Sequence, residues 1–266
     1  MSLQREEDGL KLNRFFEEMK VRSGFVVRGY ELEEMVGAGG FSTVYKARSI
    51  DPVPPFESIV AVKVLHPRRL ERGQIKRFKK EAKIAMSLEH ENVIKVYDFV
   101  EYAGNFFIFM EFLDIDLNKA IKTRKEIFTL EKIMEIIKKS AIGLAYLHTK
   151  GIIHKDFNPS NILLSYSLEK VKITDFGLAR RRRLFQINSH PDGGTKGYIA
   201  PEEYRGKFDK RADIYSFGKS IENIFSQLEF NPPESISYII EISTRENPEE
   251  RFQDMEDILY LLNKDG

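Results

Sequence analysis

Along the chain the apolar positions change period twice. Leu12, Phe15, Phe16 and Met19 fall at helical spacing, so residues 1–24 read as an N-terminal helical extension with one short apolar stripe. Such a stripe suits a helix packed on its own domain or one that docks on a partner. From Tyr30 the pattern turns to short runs rich in Val, Ile, Tyr and Ala, which predict strands at 30–36, 43–48 and 59–65. The first two flank a glycine cluster; the second and third are separated by Asp51-Pro52-Val53-Pro54-Pro55, a loop. Residues 71–88 follow as a basic helix with Ile75, Phe78, Ala82 and Ala85 along one side, and then two strands at 93–100 and 105–112. Beyond Leu113 the helical period dominates. Ile133, Ile136, Ile137, Ala141, Leu144, Ala145 and Leu147 mark a long buried helix over 130–147, and further helices are predicted at 214–224, 236–242 and 255–262. Short strands at 162–164 and 171–173 flank a turn. Strands followed by helices predict an α+β fold in two lobes, 25–113 and 114–266.

Composition narrows the classes. The 266 residues contain no cysteine, which excludes disulfides, thiolate nucleophiles and Cys metal sites and suits a cytoplasmic location. With 42 basic and 41 acidic residues the net charge is +1, so there is no global pull toward nucleic acid or anionic membrane. The run Arg180, Arg181, Arg182, Arg183 is a thin footprint for nucleic acid. No apolar run reaches the length of a membrane span, and the polar N-terminus is not a signal peptide.

Three groups of residues carry chemistry. The stretch Gly37-Ala38-Gly39-Gly40-Phe41-Ser42-Thr43-Val44 lies between two predicted strands. Glycines there let backbone N–H groups approach phosphate oxygens, a plain glycine hairpin being the alternative. Lys63 lies in Val60-Ala61-Val62-Lys63, inside a strongly apolar strand, and needs a partner or an anionic ligand. Glu81, 18 residues on, is a candidate partner; an ordinary strand-edge lysine with a surface glutamate is the alternative. In His154-Lys155-Asp156-Phe157-Asn158-Pro159-Ser160-Asn161 an Asp is followed by an Asn five positions on, and Asp175 comes nineteen positions after Asp156. An Asp to orient a hydroxyl, with an Asn and an Asp as hard oxygen ligands for magnesium, is the chemistry of phosphoryl transfer. His154 reads as a buried imidazole bracing this loop rather than a ligand or base.

In order, these residues resemble a eukaryotic-type (Hanks-type) protein kinase of the Ser/Thr class, over roughly residues 30–263. Gly37-x-Gly39-x-x-Ser42-x-Val44 matches the Gly-rich loop, Val60-Ala61-Val62-Lys63 the strand lysine, and His154-Lys155-Asp156 with Asn161 the catalytic loop. Asp175-Phe176-Gly177 and Ala200-Pro201-Glu202 match in full. The resemblance implies a bilobal protein-kinase-like fold, with a small antiparallel β-sheet lobe bearing one main helix and a larger helical lobe. It implies ATP and Mg²⁺ as cofactors and transfer of the γ-phosphate to Ser/Thr hydroxyls of protein substrates, with self-association for autophosphorylation. A nucleotide-binding pseudokinase acting as a scaffold is the alternative. By the resemblance, Lys63 would hold the α- and β-phosphates and Glu81 would fix Lys63. Gly37, Ala38, Gly39, Gly40, Phe41, Ser42 and Val44 would cover the phosphates. Val44, Ala61 and Leu163 would sandwich adenine, Met110 would control access behind it, and Glu111, Phe112 and Leu113 would form the hinge. Asn161 and Asp175 would hold magnesium, and Asp156 would act on the substrate hydroxyl. Gly194-Thr195-x-x-Tyr198 resembles the peptide-binding segment, Glu202 and Arg251 would pair in the helical lobe, and Asp213 would anchor the catalytic loop.

The chain departs from that pattern in three places. Asn158 stands where Ser/Thr kinases usually carry Lys, and is expected among the catalytic residues as an uncharged donor to phosphate. Lys196 is a candidate replacement cation. Lys155 replaces an Arg, keeping charge but losing the bidentate fork. Ser189, the one hydroxyl between Leu178 and Gly194, is a candidate phosphosite for Lys155 and the arginine run to read. Asp213 and Arg251 are 38 positions apart, about twenty fewer than the family usually shows, so a helix that often docks substrates is expected to be missing.

Overall fold

A computed structural model of the chain describes residues 21–38, 42–65, 79, 82–102, 104–175, 195–206 and 208–264. The expectations for the N-terminal stripe, Gly39, Gly40, Phe41, Glu81, Phe176, Gly177, the arginine run, Ser189 and Gly194 lie outside the described residues. Contacts separate two compact units, one drawn from 1–75 and 96–112, the other from 76–95 and 113–266.

The first unit is an antiparallel six-stranded sheet: β1 (Val26–Val27), β2 (Tyr30–Ala38), β3 (Ser42–Ser49), β4 (Ile59–Leu65), β5 (Val96–Tyr102) and β6 (Asn105–Glu111), in the order β1-β2-β3-β4-β6-β5. The period of two sorts the side chains. Val60, Val62 and Val64 of β4 lie on one face beside Tyr45 and Ala47 of β3 and Phe107 and Phe109 of β6, forming a core with Tyr30 and Leu32. Phe56 closes it, stacked on Tyr97 with ring centroids 5.1 Å apart. Burial pushes the Tyr97 hydroxyl up to about 12. The opposite face carries two cross-strand rows, Val44–Lys63–Ile108 and Lys46–Ala61–Met110. Register shifts between Leu32 and Glu34 and between Met35 and Gly37 add local twist to β2 as it approaches the glycine cluster.

The second unit has a small antiparallel sheet, β7 (Ile115–Asp116), β8 (Ile162–Leu164) and β9 (Val171–Ile173), in that order. Its helices are α1 (Leu117–Thr123), α2 (Leu130–Thr149), α3 (Arg211–Leu228), α4 (Glu234–Ser243) and α5 (Met255–Leu262). Side chains cap the first two: Asp116 Oδ1 accepts from Lys119 N at 2.8 Å, and Thr129 Oγ1 from Lys132 N at 3.3 Å. One α-helix, α4, separates α3 from Arg251, in keeping with the short spacing in the sequence.

Two expectations change. The strand predicted at 93–100 begins only at Val96. Asn92, Val93 and Ile94 run beside β9 instead: Ile173 N donates to Asn92 O and Ile94 N to Ile173 O, each at 2.9 Å. The apolar run continues through both segments, so its pattern hides the change of partner. The seven-residue α1 was not foreseen, because Leu117, Ala120 and Ile121 supply too few turns for a period.

Close packing here depends on Gly143 of α2, where a Cβ would lie 2.7 Å from Asn92 O and 3.2 Å from Ile173 Cδ1. Alanine would gain about 1 kcal/mol of helix propensity, but overpacking against a main-chain oxygen costs about 1–3 kcal/mol. Gly143→Ala should therefore lower the unfolding free energy in urea titrations; a more stable variant would show that the 92–94 segment yields freely.

Candidate active site

The catalytic-loop region begins where α2 ends. Gly151 adopts a left-handed φ of 67°, its N–H bonds His148 O, and Ile152 N bonds Leu147 O, each at 2.9 Å. This glycine-terminated cap satisfies the last helical carbonyls and turns the chain sharply. The turn delivers His154 and Lys155 to Asp213 of α3, a carboxylate with no solvent exposure. Asp213 Oδ2 accepts from His154 N at 2.7 Å and lies 2.9 Å from His148 Nε2, while Oδ1 accepts from Lys155 N at 2.8 Å. Lys155 itself is left-handed, φ 67°, a strain of about 1–3 kcal/mol that the surrounding bonds must hold. Its ammonium sits 4.0 Å from the centroid of Phe208.

His154 is fully buried and packs edge-on against Phe157, which in turn meets Phe217 of α3. Burial holds its imidazole below the ordinary value of 6.5, against the upward pull of Asp213, Asp156 and Asp175. It therefore stays neutral and braces the loop.

The carboxylate of Asp156 is held from two sides. Oδ1 accepts from Thr195 N at 3.1 Å and Thr195 Oγ1 at 3.0 Å; Oδ2 accepts from Asn161 Nδ2 at 3.1 Å. Asn161 Nδ2 also donates to Asp156 O at 2.7 Å. Asn158 is 2% exposed. Its Oδ1 caps the 3-10 turn Pro159–Asn161 by accepting from Ser160 N at 2.9 Å, and its Nδ2 donates to Asp156 O at 2.8 Å and Thr195 Oγ1 at 3.2 Å.

The β8–β9 hairpin sets the metal candidates. Ile162 pairs with Ile173, and one further bond, Thr174 N to Asn161 O at 3.0 Å, extends the ladder. Asn161 and Asp175 thus stand at the same end of the hairpin, with Asp175 in a left-handed φ of 62°. The carboxamide nitrogen of Asn161 is bonded inward, and among the described residues no donor reaches its Oδ1. An amide oxygen and a carboxylate are the hard donors that magnesium draws from a protein when phosphates and water complete its shell, so the donor set fits that ion. Among the described residues no cluster of three or more His, Asp or Glu forms a self-sufficient metal site.

The remaining candidates fall in the first unit. Gly37 pairs with Val44 and Ala38 with Thr43, and Ser42 pairs with Leu65. Val44, Ala61, Lys63 and Met110 share one sheet face, with Lys63 only 8% exposed. Glu111 ends β6 opposite Val60, and Phe112 lies under the Lys46 ammonium at 5.2 Å. Leu113 and Leu163 belong to the second unit, Leu113 buried and Leu163 half-buried on β8.

Glu202 and Arg251 form a bidentate pair at 2.7 and 2.8 Å. Arg251 also donates to the carbonyls of Arg245, Arg211 and Glu246. Three contacts were not foreseen from the sequence: Thr195 on Asp156, His148 on Asp213, and Lys155 on Phe208. Each joins residues far apart in the chain, where no local period can point to the partner.

The chain matches the family model described as "Protein kinase domain" over residues 30–257. It is 36% identical over 204 residues to serine/threonine-protein kinase PknJ of Mycobacterium bovis, covering 75% of this chain and 34% of that protein. It is 32% identical over 198 residues to serine/threonine-protein kinase PLK4 of Drosophila sechellia, covering 73% of this chain and 25% of that protein. With PLK4 of Danio rerio the identity is 30% over 203 residues, covering 75% and 21%. The chain thus spans about a third or less of the length of these relatives.

Two outcomes are expected. Glu202→Gln leaves Arg251 buried without a counter-charge and should destabilise by about 3 kcal/mol. Arg251→Met should cost more, since it also strands three carbonyls; equal losses in urea titrations would show the carbonyl bonds to be immaterial. The second outcome concerns pH. Because His154 is harder to protonate folded than unfolded, its contribution is complete above about 6.5 and is lost as pH falls below that value. Melting temperature should drop between pH 7 and pH 5, less steeply in His154→Asn; parallel curves would remove His154 as the cause.

Proposed function

The chain belongs to the protein kinase family, and from that premise we propose that it is an ATP- and Mg²⁺-dependent serine/threonine kinase that transfers the γ-phosphate to protein hydroxyls, its own included. The printed names of its relatives support the choice of Ser/Thr hydroxyls. One observation carries the proposal most directly. Asp156 is held on both carboxylate oxygens, in a loop whose Asn161 shares a hairpin end with Asp175.

In this reading Asp156 orients the attacking hydroxyl and accepts its proton, and Asn161 and Asp175 hold the metal through oxygen. Bound magnesium supplies charge neutralisation on the phosphates. Lys63, on its largely buried strand, meets the α- and β-phosphates, with Glu81 as its partner. Backbone amides along residues 37–44 cover the phosphates and exclude water. Val44, Ala61 and Met110, which share one face of the first unit's sheet, meet adenine, and Glu111 at the end of β6 offers main-chain groups to its edge. Such a site works mainly by positioning and charge stabilisation rather than covalent chemistry. In the same reading the protein works in the cytoplasm.

The test is incubation with γ-labelled ATP and Mg²⁺, alone and with generic protein substrates, beside Asp175→Ala. Transfer should appear on Ser or Thr and fall by about 10²–10³ in the variant. Nucleotide binding with no transfer under any condition would replace this reading with that of a nucleotide-binding scaffold.

A further inference from the structure

The side chain at position 158 has a restricted inventory. A carboxamide offers two N–H donors and one oxygen. In Asn158 one donor direction goes to Asp156 O at 2.8 Å, the other to Thr195 Oγ1 at 3.2 Å, and the oxygen accepts from Ser160 N at 2.9 Å. The residue is 2% exposed. Neither proton remains to meet a phosphate, and the group carries no charge.

The bond to Thr195 has a directional consequence. A hydroxyl has a single proton. With its oxygen receiving the Asn158 N–H, the Thr195 proton is left for Asp156 Oδ1, which lies 3.0 Å away. The Thr195 main-chain N–H goes to the same Oδ1 at 3.1 Å. Asn158 therefore fixes the sense of a short chain of donors, from its own amide through the Thr195 hydroxyl to the Asp156 carboxylate. Its cap on the Pro159–Asn161 turn ties the same side chain to the turn that presents Asn161. Asp156 O receives Asn161 Nδ2 as well, at 2.7 Å, so that acceptor stays satisfied without Asn158. Beyond its cap on Ser160 N, the bond that Asn158 alone supplies is the one to Thr195.

We propose that Asn158 is a positioning residue: an uncharged tether that docks the Thr195 segment on Asp156 and sets the carboxylate's orientation through Thr195, without touching nucleotide. This rests on the kinase reading of Asp156. It predicts that residue 158 governs turnover rather than nucleotide binding, and that its effect passes through Thr195.

Serine is the discriminating substitution. It can still cap the turn but is too short to reach Thr195. In Asn158→Ser, kcat should fall about tenfold, the worth of one oriented hydrogen bond, with KM for ATP within about twofold of the parent. Thr195→Val should lower kcat at least as much, and the double variant should be no slower than Thr195→Val alone. A change chiefly in KM for ATP, multiplying effects in the double variant, or a raised kcat in Asn158→Lys would each overturn the tether, since each would put residue 158 at the phosphates. A readout independent of catalysis accompanies these. Hydrogen exchange of the Thr195 amide should quicken in Asn158→Ser while that of the Lys155 amide, bonded to Asp213, stays unchanged. An unaltered Thr195 amide would refute the tether even if the parent protein transferred no phosphate, an outcome that would count against the kinase reading alone.

Discussion

The second unit is organised around one buried carboxylate. Asp213 is inaccessible to water, yet it accepts two main-chain N–H groups and faces an imidazole. An isolated carboxylate in such a place would be very costly; here two neighbouring segments provide its solvation. α2 contributes His148, the loop after Gly151 contributes the amides of His154 and Lys155, and α3 contributes the acid. Removing the acid would leave two buried amides without acceptors and a left-handed lysine without its restraint. The position of Asp156, one residue on, follows from that anchorage.

A second tier of polar bonds builds on the first. Asp156 O accepts from both Asn158 and Asn161, so one main-chain oxygen organises the turn between them. The side chain of the same residue receives Thr195, drawing in a segment that continues to Glu202 and its pair with Arg251. Apolar packing of Phe157 on Phe217 and on His154 lies behind this network. A low local dielectric strengthens each satisfied bond and raises the cost of a missing one.

Much of the fold was legible in the sequence because it is written in short periods. The short apolar run at 59–65 and the helical spacing from Ile133 to Leu147 predict elements that the structure contains. The candidate residues were legible by order and spacing: Asp156, Asn161 and Asp175 need only a loop and a hairpin to stand near one another. What local pattern cannot carry is choice of partner. Asn158 reads in sequence as a donor free for a ligand, because its bond to Thr195 crosses 37 positions. Lys155 reads as a cation awaiting a phosphate, and nothing nearby announces the ring of Phe208. The run from Val93 onward reads as one strand because both partners want the same apolar residues.

The reach of Arg251 has a consequence for the order in which the protein is completed. Its guanidinium closes over Glu202 and the carbonyls of Arg211, Arg245 and Glu246, all of which precede it in the chain. A growing polypeptide that has not yet passed position 251 has the loop, the hairpin and α3 already in hand, but not the charge that settles Glu202. The segment leading from Thr195 to Glu202 is then tied to Asp156 at its beginning and to Ser216 of α3 through the Tyr198 carbonyl, with Glu202 still lacking its partner. Domains assemble as units while synthesis proceeds from the N-terminus, so a site whose apparent residues are all present by position 213 acquires its final clasp only when position 251, just ahead of the last helix, has been added.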